Sequence, residues 1–179
     1  MKRTKGMRCL LFTLIFLLLT LSACNSKPEF KLYEGKPLRI AVVGEPPEVE
    51  EEQIRFDKVS FDELTSETID SYNAVIITEE NLVEASESQY ADVYLQSTIP
   101  FFFISANSPI PFTVEDVEYD TSWDWTVGKS YAVGVLTIQE EDEEVVKNWG
   151  YGLYNSEKTD EHIKALYSRI FITIEELHL

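Results

Sequence analysis

Histidine and cysteine are scarce in this 179-residue chain, which contains two of each. Both histidines, His162 and His178, fall in the last predicted helix, and their separation of sixteen residues is too large for them to share one metal ion. The common acid–base and nucleophilic arrangements that use histidine or cysteine are therefore missing. The sequence predicts no metal site and no cofactor, and an enzyme built from it would depend on carboxylates.

Basic residues are also few. The chain has 15 Lys and Arg against 32 Asp and Glu, a formal net charge of −17. A strongly acidic surface repels nucleic acid and anionic lipid headgroups, so neither is an expected partner. Such a surface favours cations, basic proteins or simple solubility. We expect the partner to be a protein or a small ligand.

The amino-terminal segment has the parts of an export signal. Basic residues without any acid are followed by an apolar run from Leu10 to Leu21, and then by Leu21-Ser22-Ala23-Cys24. The run is short for a membrane-spanning helix, which needs about 20 apolar residues. The last four residues match every position of the lipobox, and the segment resembles the bacterial lipoprotein precursor family.

This resemblance implies that residues 1–23 are a removed signal peptide and that Cys24 carries a diacylglycerol on its thiol. Two acyl chains hold a domain at a membrane for long periods, so the expected location is the extracytoplasmic side of a bacterial cell membrane. Cys9 leaves with the signal, and no cysteine then remains for a disulfide or a zinc site. Removal of four basic residues leaves 11 against 32 acids, a formal charge of −21. The alternative is a plain secretory signal with a chance cysteine after Ala23.

After the signal, residues 24–36 are expected to form the lipidated cysteine and a polar tether, and residues 37–179 a single domain. Tyr33 is one of the apolar tether residues that could pack on this domain. Short apolar or alternating runs predict strands at Leu38–Val43, Ile54–Val59, Ala74–Ile77, Phe101–Ile104 and Tyr131–Ile138. Helical segments are predicted at Asp62–Tyr72, from an N-cap at Thr78 to about Gln96, from the acidic run Glu140–Glu144 to near Gly150, and after an N-cap at Thr159.

Strands that alternate with helices predict an α/β fold with one doubly wound, mostly parallel sheet, of the flavodoxin-like or Rossmann-like kind. Ligands of such sheets bind at the carboxyl ends of the strands. The side chains expected there are Glu45, Glu79, Glu80, Ser105, Glu140 and Glu141. Each of the acids could equally stabilise the first turn of a following helix. We therefore expect this rim, with Asp142, to associate with cations weakly rather than to form a built site.

Two tryptophans flank Asp124 in a segment without clear periodicity. The faces of Trp123 and Trp125 are candidates for aromatic contact with a sugar, and the alternative is that the two rings belong to the core or cover an edge of the sheet.

Two functions from different classes are compatible with these features. The favoured one is a membrane-anchored binding or accessory module for an extracytoplasmic protein or a small ligand. The alternative is a carboxylate-dependent hydrolase of cell-wall carbohydrate. Two partly buried carboxyl groups about 5 to 10 Å apart in a cleft would favour the hydrolase, whereas an edge without such a pair favours the binding module.

Overall fold

A mixed six-stranded sheet with helices on both faces forms the centre of the molecule. The structure is a computed structural model that describes residues 30–177 except Ser66 and Asp142, with only the backbone of residues 65, 67 and 68. The predicted signal peptide, Cys24 and His178 lie outside these residues. None of the helices within the described part of the chain is long and apolar enough to span a membrane.

Four parallel strands form one side of the sheet: β1 (Leu38–Val43), β2 (Ile54–Lys58), β3 (Ala74–Ile77) and β4 (Phe101–Ile104). The sheet order is β2-β1-β3-β4-β5-β6. β3 and β4 are buried throughout, as expected for continuous apolar runs covered on both faces. We call the edge at which β1 to β4 begin the amino edge, and the edge at which they end the carboxyl edge.

An antiparallel hairpin completes the sheet. It consists of β5 (Ala132–Glu140) and β6 (Glu143–Tyr151), and β5 also runs antiparallel to β4. The helix predicted from the acidic run to Gly150 is therefore wrong. In β6, Val145, Lys147, Trp149 and Tyr151 are less exposed than the residues between them, and this period of two fits a strand. The acids sit at the hairpin turn, where Glu141 has a positive φ of 54°.

Two apolar cores lie on opposite faces of the sheet. One contains residues from the short helices α1 (Leu82–Ala85), α2 (Ser88–Gln96) and α3 (Ile110–Thr113), and from 3₁₀ turns at Phe61–Thr65 and Glu67–Ser71. The other is covered by one long helix, α4 (Asp160–Glu176). Helices on both faces make the fold α/β, as predicted, although the sheet is mixed because β5 runs opposite to the other five strands.

The helix predicted from Thr78 to Gln96 is interrupted. A 3₁₀ turn at Glu79–Asn81 leads into α1, and α2 starts only after Glu87, whose backbone is extended. Thr78 makes no side-chain cap, because its hydroxyl lies 3.1 Å from the carbonyl oxygen of Val43. In α1, Leu82 is buried, whereas its neighbour Val83 is 68% exposed.

Helix α4 confirms the helix that was predicted after an N-cap at Thr159. The Thr159 hydroxyl accepts a hydrogen bond from the His162 N–H at 3.2 Å, which caps the first turn. Leu166, Ile170 and Phe171 are fully buried against the sheet. His162 is also buried, and its Nδ1 lies 2.9 Å from the Glu157 carbonyl oxygen, which gives this histidine a structural role.

The chain is fastened to the domain before its first strand. Tyr33 is buried against the ring of Phe171, with 6.0 Å between ring centroids. The Tyr33 N–H donates to the carboxylate of Glu51 at 3.3 Å, and the Gln53 side chain donates to the Tyr33 carbonyl at 2.7 Å. Glu51 is only 5% exposed and also accepts from the hydroxyl of Ser168 on α4. The last part of the predicted tether is therefore packed on the domain.

Candidate functional site

The predicted rim of acids is divided between the two edges of the sheet. Glu45 follows β1, Glu79 and Glu80 follow β3, and Ser105 follows β4, so these four lie at the carboxyl edge. Glu140 and Glu141 do not lie there. Because β5 is antiparallel to β4, its carboxyl end points to the amino edge, so the prediction of a shared rim is wrong for these two acids.

The order of connection reverses between β1 and β3, which is where sheets of this kind often bind ligands. Here the space is filled by the protein itself. Gly44 has a φ of 114°, and a Cβ on it would lie 1.8 Å from the Thr78 hydroxyl oxygen. The Glu45 N–H donates to Glu80 at 3.3 Å, and hydrogen bonding with the Thr78 hydroxyl lowers the pKa of Glu80. A ligand would have to bind beside this position.

The carboxyl edge also contains a basic side chain, Lys158, which was not among the predicted site residues. Lys158, in the segment after β6, places its Nζ 3.3 Å from a carboxylate oxygen of Glu79 and 5.3 Å from the ring centroid of Tyr131. Burial raises the pKa of the Tyr131 hydroxyl. Tyr131 comes just before β5, so the antiparallel direction of that strand brings it here. No local sequence signal connects these three residues, because they meet only through the fold.

The two tryptophans pack against different cores. Trp123 contacts the core of the short helices, whereas Trp125 contacts the core under α4. The Trp125 ring meets Tyr131 edge to face at 5.7 Å, and its Nε1 is buried without a hydrogen-bond partner within the described chain. Because the rings face opposite sides of the sheet, Trp123 and Trp125 do not form one stacking surface for a sugar.

Ser105 holds the loop after β4 in place. Its φ of 71° turns the chain sharply, and its side chain is buried. The Ser105 N–H donates to the Tyr131 carbonyl at 2.6 Å, and its own carbonyl accepts from the Trp125 N–H at 2.8 Å. This predicted rim residue therefore joins the loops of the carboxyl edge through its backbone.

A cleft of about 360 Å³ opens at the carboxyl edge between the loop after β1 and the first turns of α4. Its lining residues are Pro47, Glu48, Asp160, Ile163, Lys164 and Tyr167. The volume lies within the range of about 300 to 1,000 Å³ found for small-molecule sites. Burial raises the pKa of Tyr167, which is only 4% exposed. Lys164 is engaged with Glu50, with 3.4 Å between Nζ and the carboxylate.

The carboxylates in this region differ in their surroundings. Glu48 and Asp160 are exposed at the cleft, whereas the buried Glu51 binds the Tyr33 N–H and the Ser168 hydroxyl. The one buried carboxylate in this region is thus occupied by structural hydrogen bonds. Over the described ranges, no three His, Cys, Asp or Glu side chains converge in a group that could hold a metal ion.

Comparison with known proteins yields no relative. No family model matches the chain, and no curated protein or solved structure is significantly similar to it.

Proposed function

We propose that this protein is a lipoprotein anchored through Cys24 on the extracytoplasmic side of a bacterial membrane, and that it acts as a binding or accessory module. Its ligand or protein partner contacts the cleft at the carboxyl edge. The lipobox Leu21-Ser22-Ala23-Cys24 supports the anchor. The cleft supports the binding role, and it is the observation on which the proposal depends.

The cleft supports binding better than hydrolysis. A glycosidase needs an acid with a raised pKa beside a second carboxylate, and partial burial normally supplies that pKa. Glu48 and Asp160 are both exposed. The buried Glu51 already accepts hydrogen bonds from structural groups. The separated tryptophans also offer no continuous platform for a sugar chain.

We further propose that the sheet is a doubly wound, flavodoxin-like arrangement in which the fifth strand is reversed and a sixth strand is added. The order β2-β1-β3-β4-β5 agrees with the flavodoxin-like order, and helices cover both faces. The reversal of β5 and the addition of β6 distinguish this chain from that pattern. The arrangement supports a ligand site at the carboxyl edge, where the cleft lies.

The path of the chain into the domain is consistent with this use of the cleft. β1 begins at Leu38, at the amino edge, and Lys36 just before it donates its N–H to Glu175 near the end of α4 at 2.9 Å. The cleft lies at the other end of α4, beside Asp160. The chain therefore enters β1 at the edge of the sheet away from the cleft.

In-cell photo-crosslinking of the full chain tests the binding role. A photoreactive amino acid at Ile163, in the cleft, is compared with one at Val146, an exposed position on β6. We expect Ile163 to capture a molecule or protein that Val146 does not. Identical products from the two positions, or none, would contradict the proposal.

A separate variant tests the anchor. Cys24→Ala removes the only thiol in the lipobox, and we expect an unprocessed precursor without lipid. Fractionation and mass spectrometry of the wild type and the variant measure this directly. A C24A chain that is still cleaved after Ala23 and remains bound to the membrane would reject lipidation at this position.

A further inference from the structure

The charge of the cleft depends on which of its charged groups already have a partner within the protein. The amino end of α4 would attract an anion, but the Thr159 hydroxyl caps it, and Asp160 and Glu161 lie in its first turn. Lys164, the one basic residue of the lining, pairs with Glu50. Glu48 and Asp160 form no ion pair within the described part of the chain. The side chains that line the cleft therefore carry a net negative charge.

An independent feature of the cleft is the buried side chain of Tyr167. It lines the cleft although it is only 4% exposed. Its hydroxyl has no hydrogen-bond partner among the residues that the structure describes, and the groups that influence it electrostatically are Tyr131 and Glu80. A tyrosine hydroxyl that has no protein partner can bond to a ligand or to water. Beside it, Ile163 and Pro47 provide apolar surface.

We propose that the cleft binds a small organic cation, with its ammonium or guanidinium group at Glu48 and Asp160 and its apolar body against Ile163, Tyr167 and Pro47. The hydroxyl of Tyr167 favours this class of ligand, because an N–H donor can bond to the phenol oxygen. The high negative charge of the whole chain also attracts cations. This inference deepens the proposed function and rests on it.

The test uses the full chain in nanodiscs of zwitterionic lipid, with empty nanodiscs as the blank, and isothermal titration calorimetry. The probes are benzylammonium, benzyl alcohol as the same apolar body without charge, and calcium as a cation without an apolar body. We expect saturable binding of benzylammonium, at least about tenfold tighter than benzyl alcohol because only the cation is attracted to the two carboxylates. Calcium should bind weakly and without saturation.

Variants assign the binding to these side chains. E48Q/D160N should weaken benzylammonium binding at least about tenfold, since it removes both charges that face the ligand. The control E143Q/E144Q also removes two negative charges, but at the β5–β6 turn, and should change affinity by less than about twofold. Tyr167→Phe should weaken binding about threefold without lowering the melting temperature, because the hydroxyl has no bond to lose in the free protein.

The outcomes separate this inference from the proposed function. Equal binding of benzylammonium and benzyl alcohol, equal effects of the two double variants, or no binding at all would overturn the organic cation. If crosslinking from Ile163 then still captured a molecule, the binding function would stand with another ligand class. Conversely, benzylammonium binding that is lost only in E48Q/D160N and weakened in Y167F supports the ligand class whatever the crosslinking captures.

Discussion

The two ends of α4 use acidic residues in opposite ways. Toward the amino edge, Glu51 and Glu175 are bonded to the backbone of Tyr33 and Lys36 and hold the entering chain on the domain. At the carboxyl edge, Glu48 and Asp160 stand exposed beside a cleft. The same residue type thus holds the chain in place where it is hydrogen-bonded to the backbone, and is open to solvent where it is not. Net charge alone does not distinguish these uses.

Removal of α4 should have the largest effect on stability, because this helix supports both the contacts of the entering chain and the cleft. Leu166, Ile170, Phe171 and Ile174 are buried, and each such side chain contributes about 1.5 to 3 kcal/mol. Their sum is similar to the whole stability of a domain, about 5 to 15 kcal/mol. A chain that ends at Thr159 should show no cooperative thermal unfolding, whereas a chain that ends at Leu177 should unfold like the full protein. Cooperative unfolding of the shorter chain at a similar temperature would show that α4 is peripheral.

Glu51→Ala should destabilise the protein by about 3 kcal/mol, because it leaves the buried Tyr33 N–H and Ser168 hydroxyl without their acceptor. The neighbouring Glu52 is exposed, so Glu52→Ala should change the free energy of unfolding by less than about 0.5 kcal/mol. Urea denaturation of both variants measures the difference. Equal values would mean that Glu51 does not fasten the chain.

High pH should destabilise the packing of Tyr33 on the domain. Burial, assisted by the nearby Glu175, raises the pKa of Tyr33 from 10.0 to about 12. The folded state therefore favours the neutral phenol, and the resulting stability is complete below pH 10 and is lost as the pH rises from 10 toward 12. Because other tyrosines also ionise, the informative quantity is the difference between wild type and Tyr33→Phe. The variant should lose less stability over this interval, and parallel curves would contradict the assignment.

Glu48→Gln should have the smallest effect on stability, within about 0.5 kcal/mol, since an exposed carboxylate without a partner contributes little to folding. Measured beside Glu51→Ala, this variant sharpens the comparison between the two ends of α4. A loss as large as that of Glu51→Ala would show that Glu48 is a structural residue and would remove it from the candidate site.

The strands that sequence reasoning located best are those with the least ambiguous pattern. Ala74–Ile77 and Phe101–Ile104 are uninterrupted apolar runs, and the structure confirms both. The hairpin was missed because the acids at Glu140–Glu144 look like the first turn of a helix. The spacing of Val145, Trp149 and Tyr151 by multiples of two was the available signal for β6.

The candidate site was predictable only where it follows the strands directly. Glu45, Glu79, Glu80 and Ser105 were placed at the carboxyl edge because they come immediately after parallel strands. The cleft could not be predicted in this way. Glu48 and Asp160 are far apart in the chain, and only the packing of α4 beside the loop after β1 brings them to one opening.

The position of α4 in the chain also affects how the protein reaches its native state. The helix follows all six strands and is the cover of Ile40, Ile76 and Phe102 on one face of the sheet. While the chain is being made on a ribosome, this face therefore remains uncovered until the segment up to residue 176 has emerged. Uncovered apolar surface on a partly folded sheet promotes association between chains. Newly made chains should thus be most prone to aggregation after the strands have appeared and before the helix has docked.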